Sequence, residues 1–269
     1  MTTAAFGDVT AEEGDDHVAV VTIHRPPDNF FDQALIASLA DAMEDLGVEG
    51  RSRAVVLAAE GKNFCAGASL GGRSRLASSS STSLEPDPEP EPRHLYDEAV
   101  RVFAAPLPIV AAVRGAAVGG GLGLALAADF RVGSPDTRMS ANFARLGFHH
   151  GFGLTVTLPA VVGQQRALEL LYTSVRLKGE EAAEIGLLDR LVAADEVEAE
   201  ARRLAAEIAA SGPLAVASIR ATMRGDLPER IRVATEREKA EQDRLRHTAD
   251  FAEGVRAMAE RRQPRFEGR

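Results

Sequence analysis

Residues 106–132 read PLPIVAAVRGAAVGGGLGLALAADFRV, and the way this stretch is assembled decides the fold. Ile109 to Val113 (IVAAV) is a short, wholly apolar run of the kind expected for a strand buried on both faces. A glycine-bearing segment, Gly119-Gly120-Gly121-Leu122-Gly123, stands directly before an alanine-rich helical run that Asp129 terminates. Working outward, Val18 to Ile23 (VAVVTI) and Ala54 to Ala59 (AVVLAA) are further strands of the same kind. Between them Leu35, Ile36, Leu39, Met43 and Leu46 recur at helical spacing, which predicts a helix over Gln33 to Leu46 that exposes Asp41, Glu44 and Asp45. The order strand, helix, strand, irregular insert, helix, strand points to the α/β class.

From about Gln164 the pattern turns almost wholly helical, with Val197, Ala201, Leu204 and Ile208 marking one stripe and Ser211-Gly212-Pro213 a stop and restart. The expected division is a core over 1–195 and a helical region over 196–269. No repeat of 20 to 50 residues is evident, and the low-complexity segment Gly71 to Pro92 (GGRSRLASSSSTSLEPDPEPEP) reads as a mobile, solvated loop.

The chain has 269 residues, 45% of them hydrophobic, which is ample for a sizeable core. Its 31 lysines and arginines face 40 acidic residues, a net charge of -9 spread along the chain. That balance argues against a nucleic-acid partner, which needs a basic face. The single cysteine, Cys65, excludes an intramolecular disulfide, and no Cys/His cluster has zinc-site spacing, so a reducing cytoplasm is the expected home. The N-terminal MTTAAFGDVTAEEGDD lacks the basic and apolar regions of a signal peptide. The longest uncharged apolar run, Gly115 to Ala128, falls short of the roughly 20 residues a membrane helix needs, so no membrane span is expected.

Two segments carry chemistry: Asn63-Phe64-Cys65-Ala66-Gly67-Ala68 after a strand, and the glycine triplet before a helix. Glycines let a backbone approach a ligand, and the free N–H groups of a helix start donate to developing negative charge. The triplet equally suits a helix start packed tightly against a neighbour. It is no phosphate-binding Walker loop, because no Lys-Ser/Thr pair follows, and no acid is placed for a dinucleotide ribose.

Five stretches in order carry a resemblance over nearly the whole chain: HRPPDNFFDQAL, RAVVLAAEGKNFCAGASL, the Pro106 to Val132 block, KGEEAAEIGLLDRLV and TADFAEGVRAMAERRQPRFEG. Together they resemble the enoyl-CoA hydratase/isomerase family, the crotonase superfamily. The resemblance implies a crotonase-like ββα spiral core and a C-terminal helical trimerisation region, in a homotrimer or a hexamer of paired trimers. It implies an acyl-CoA thioester as the partner and no metal or redox cofactor, coenzyme A entering as part of the substrate. It places the two oxyanion N–H donors at Ala68 and Gly120, and the coenzyme A contacts at Phe30, Ala66 and Leu70.

The sequence departs from that family where its hydratases carry two glutamates: Gly123 and Phe143 stand there, and neither side chain transfers a proton. Where other members place an aspartate, Gly151 stands beside His149 and His150. This histidine pair is the nearest titratable chemistry and the candidate proton shuttle, although a histidine in such a loop also serves structure alone. Arg145 and Asn142 are weaker candidates for hydrogen-bonding an acyl group; the insert either closes over the acyl chain and lends Glu85, Asp87, Glu89 or Glu91 to the chemistry or is a solvated loop. Asp129 reads as a structural acceptor and Cys65 as a packed small hydrophobe. Phe143, Phe148, Phe152 and Leu154 fit either an acyl pocket or plain core. The leading expectation is an enzyme that holds a thioester enolate on Ala68 and Gly120. The alternatives are a non-catalytic acyl-CoA binding or carrier protein, and a decarboxylase or hydrolase of CoA thioesters.

Overall fold

A computed structural model describes residues 2–49, 51–68 and 93–269. The strands are β1 (Thr2–Phe6), β2 (Val9–Glu13), β3 (Val18–Ile23), β4 (Ala54–Ala59), β5 (Ile109–Val113), β6 (Ala116–Val118), β7 (Phe130–Gly133), β8 (Arg138–Ser140), β9 (Leu177–Lys178) and β10 (Arg190–Leu191). The helices are α1 (Gln33–Glu49), α2 (Leu95–Phe103), α3 (Gly120–Ala127), α4 (Leu154–Val162), α5 (Gln164–Thr173), α6 (Gly179–Glu184), α7 (Val197–Ala209), α8 (Pro213–Arg224), α9 (Leu227–Leu245) and α10 (Ala249–Ala259).

Among the described residues the strands form two sheets. The larger runs β1-β2-β3-β4-β5-β7-β10, antiparallel across β1, β2 and β3 and parallel from β3 to β10. Its three central strands lie where the apolar runs predict, and every residue of β5 is buried, because helices cover both faces of a parallel sheet. On one face α1, α2 and α3 supply Leu35, Leu39, Met43, Val102 and Leu122 to the main core. On the other, Val197, Ala201 and Leu204 of α7 pack against Val18, Val20, Val56 and Val110. The helical region from 196 onward thus begins with a helix that closes the second face of the sheet.

The second sheet, β6-β8-β9, is small but positions the site. Two isolated parallel bridges extend this layer, Cys65 to Ala117 and Phe31 to Ala68, so five chain segments lie side by side. Asp129 behaves as its place at the end of α3 predicts: it accepts from the Ile109 N–H at 2.8 Å and from the guanidinium groups of Arg220 and Arg224 on α8. Among the described residues no single helix is long and apolar enough to cross a membrane.

Candidate active site

The segment Cys65–Ala68 is pinned on both sides. Cys65 exchanges hydrogen bonds with β6, its N–H to Ala116 O at 2.9 Å and its carbonyl from Val118 N at 3.0 Å. On the opposite side Ala66 N–H donates to Asp28 O at 2.9 Å, and Gly67 O accepts from Phe31 N at 3.0 Å. Gly67 has φ +98, a left-handed conformation that glycine alone adopts freely. The C=O and N–H of one trans peptide point in opposite directions. The Gly67 carbonyl that faces Phe31 therefore sends the Ala68 N–H the other way, toward the side occupied by β6.

Gly119 and Gly120 lie at the end of β6. Gly119 N–H is committed to Ser140 O at 2.8 Å, and Gly119 O accepts from Leu122 and Gly123. By the same peptide geometry the Gly120 N–H points out of the start of α3, and it has no hydrogen-bond partner among the described residues. The Ala68 and Gly120 donors predicted from the sequence thus stand at the ends of paired strands. The Phe31 ring joins them: Phe31 bridges to Ala68, and a Cβ at Gly120 would lie 2.3 Å from Phe31 Cζ.

The position of the first missing glutamate is occupied from outside. A Cβ at Gly123 would lie 2.7 Å from Phe152 Cβ, so Phe152 fills the space into which a larger residue would project. Phe152 is 1% exposed and meets Phe31 edge-on with ring centroids 5.6 Å apart. At the second missing glutamate, Phe143 turns its ring toward Gly119, beside the Asn142 side chain. Of the four residues that suit an acyl pocket, Phe152 and Leu154 belong to the core. Phe148 instead packs against Phe251 of α10, ring centroids 4.7 Å apart and tilted, since α10 covers the turn it follows. Arg145 is exposed.

His149 and His150 stack with centroids 4.2 Å apart. His149 Nδ1 lies 2.7 Å from the His150 carbonyl, an acceptor, so Nδ1 carries a proton and donates it there. His150 Nε2 lies 2.9 Å from Thr155 Oγ1, which is 2.7 Å from Glu238 Oε1. Glu238, fully buried on α9, also accepts from Gly153 N and Thr155 N. With Glu238 as a carboxylate, Thr155 donates to it and accepts from His150 Nε2–H, which leaves His150 Nδ1 as the free basic nitrogen. Burial, together with neighbouring His149, pushes the His150 pKa down to about 4. Burial also raises Glu238, against the pull of its three donors. A second chain of bonds supports the same loop: Tyr96 OH donates to Gln242 Oε1 at 2.7 Å, and Gln242 Nε2 donates to His149 O at 3.0 Å.

Glu238, Thr155, Tyr96 and Gln242 are absent from the sequence reading. The available signal is the spacing of Ile231, Thr235, Glu238 and Gln242, which form the buried stripe of an otherwise charged helix. Of the proposed coenzyme A contacts, Phe30 is 42% exposed and Ala66 half-buried beside Asp28. Leu70 and the insert 71–92, with its four acids, lie outside the described residues. Cys65 is fully buried, and burial pushes its thiol up to about 12, as suits a packed side chain and not a nucleophile.

Residues 13–269 match the family model described as enoyl-CoA hydratase/isomerase. The chain belongs to this family. A Bacillus subtilis protein described as a probable enoyl-CoA hydratase is 31% identical over 94% of this chain and 96% of its own length. A crystal structure of an enoyl-CoA hydratase/isomerase from Pseudoalteromonas atlantica matches with a TM-score of 0.84 at 29% identity, over 97% of this chain and all of that one. One of an enoyl-CoA hydratase from Mycobacterium avium subsp. paratuberculosis has a TM-score of 0.82 at 27% identity, covering 98% of this chain and 100% of the other. The crotonase fold expected from the five sequence stretches is therefore the fold of this family member, a mixed α/β core with a C-terminal helical region.

Proposed function

We propose that this family member acts on an acyl-CoA thioester through an enolate held by the Ala68 and Gly120 N–H groups, without the two-glutamate chemistry of hydration. The observation that carries the reading is the Gly120 N–H, aimed out of α3 beside Ala68 and without a partner among the described residues. A proton leaves the α-carbon for His150 Nδ1, the C–H electron pair forms the Cα=C bond of the enolate, the carbonyl π pair moves onto the thioester oxygen, and the two N–H groups receive the developing charge. Removing one such donor costs about 2.7–4 kcal/mol of transition-state stabilisation. Because His150 is neutral at neutral pH, it enters as the acceptor, with His149 stacked on it and Thr155 and Glu238 fixing its tautomer.

Coenzyme A is part of the substrate, against Phe30, Ala66 and Leu70, and the scheme uses no resident metal or redox cofactor. A homotrimer or hexamer built through residues 196–269, in the cytoplasm, completes the proposal. Incubating butyryl-CoA with the protein in heavy water tests it by mass spectrometry. Exchange at the α-carbon that falls about 10²-fold or more in His150→Gln is expected for a positioned base. Exchange unchanged in that variant removes the base from His150. A second reading, acyl-CoA binding without turnover, is favoured by Phe152 filling the space beside Gly123. It predicts saturable binding of butyryl-CoA and no exchange. Decarboxylation or hydrolysis of a thioester would use the same two N–H groups and shows as loss of mass from malonyl-CoA or release of free coenzyme A.

A further inference from the structure

A cavity of about 490 Å³ opens at the carboxyl ends of the parallel strands, and its lining runs against the charge of the whole chain. Lys62 reaches it from beyond β4, Arg114 from the end of β5, Ser134 and Asp136 from beyond β7, Arg138 from the start of β8 and Lys178 from the end of β9. Four cations thus face one carboxylate in a chain of net charge -9. Existing partners compensate these charges only in part, two of the four cations having a carboxylate at long ion-pair distance. Lys62 Nζ is 3.8 Å from Asp28, and Arg114 is 4.0 Å from Glu198. Arg138 donates to the neutral Asn63 Oδ1, and neither Lys178 Nζ nor the Asp136 carboxylate has an ion pair among the described residues. The Ser134 hydroxyl is buried without a hydrogen-bond partner. Crevices outside the carboxyl ends of parallel strands are the usual ligand position in open α/β sheets. The cavity and the Gly120 donor lie at opposite ends of β6: Gly115 lines the cavity, Gly120 follows the strand, and the three residues of β6 span about 10 Å at ~3.3 Å per residue.

We infer that this cavity is a binding site for a phosphate-type polyanion, held by Lys62, Arg114, Arg138 and Lys178. The anion has two conceivable sources, the phosphates of the acyl-CoA itself or a separate phosphorylated molecule, and the recognition chemistry is common to both. Calorimetric titration with inorganic pyrophosphate at low ionic strength tests the site. Saturable binding is expected, at least tenfold weaker in the double variant Lys62→Gln/Lys178→Gln, whose two side chains are exposed and outside the core. Asp136→Asn tightens it, and Arg237→Gln, on the exposed face of α9, leaves it unchanged. Competition then identifies the source. If butyryl-CoA displaces pyrophosphate and the double variant weakens butyryl-CoA but not butyryl-pantetheine, the anion is the substrate's own. If butyryl-CoA and pyrophosphate bind together, it is a separate molecule. No saturable pyrophosphate binding, or binding unchanged in the double variant, overturns the site.

Discussion

His150 is where burial and chemistry meet most directly. Unfolded, its imidazole takes up a proton near the ordinary value of 6.5; folded, burial and the stacked His149 lower that to about 4. Between those values the unfolded chain binds more protons, so the stability this group contributes is complete above about pH 6.5 and is lost as the pH falls toward 4. At ~1.36 kcal/mol per pKa unit the loss is at most about 3 kcal/mol. Glu238, which faces the same loop through Thr155, acts with the opposite sign: its raised folded pKa makes its contribution largest at low pH. The difference between wild type and His150→Gln isolates the histidine, and urea unfolding at pH 7 and pH 4.5 should show wild type losing more stability on acidification than the variant. Equal losses would place His150 in a solvated environment. Gly123 gives a second prediction at this scale. Because Phe152 occupies the adjoining space, Gly123→Glu does not restore hydration and costs about 1–3 kcal/mol from overpacking, read as a lowered melting temperature. Crotonyl-CoA hydration gained by that variant would contradict the packing.

At the scale of elements, α8 has no buried residue of its own and is tied to the core by Arg220 and Arg224. Both guanidinium groups meet Asp129, and they also donate to the carbonyls of Ala105, Phe103 and Ala127. Asp129→Ala leaves two largely buried cations without their carboxylate and should destabilise the protein by about 3 kcal/mol, measured by urea denaturation. A change below about 0.5 kcal/mol would mean that the ion pairs do not hold α8. The elements differ in how openly the sequence declares them. Strands β3, β4 and β5 are legible because burial on both faces forces unbroken apolar runs. The hairpin of β1 and β2 is not, since β1 is mostly exposed and carries no apolar alternation; its signal is Gly7-Asp8 at the turn. Ala68 and Gly120 are reached through the family resemblance of the C-A-G and glycine-triplet stretches, since glycine patterning alone equally suits a tightly packed helix start. The support beneath the histidines is not legible, because Thr155 and Glu238 lie 83 residues apart and Tyr96 and Gln242 lie 146 apart. A buried glutamate on a helix as charged as α9 is visible only once its stripe is aligned with Ile231.

For the molecule as a whole, α8 and α9 present Ile219, Met223 and Val233 to solvent, 62%, 81% and 52% exposed, which is unfavourable for a lone chain. The trimer proposed above covers such surface. Light scattering should give three or six times the chain mass, and Ile219→Lys/Met223→Lys should shift it toward the monomer; a wild-type monomer would contradict the assembly. Heavy-water exchange of butyryl-CoA in Gly120 variants tests the donor pair itself. Gly120→Ala and Gly120→Pro both press a Cβ toward Phe31, but only proline removes the N–H, at a first helical position where its backbone is tolerated. With the donor pair in place, wild type exchanges the α-carbon proton and Gly120→Pro loses a further factor of about 10²–10³ relative to Gly120→Ala. Exchange equal in the two variants, or none in the wild type, would contradict a donor pair at Ala68 and Gly120.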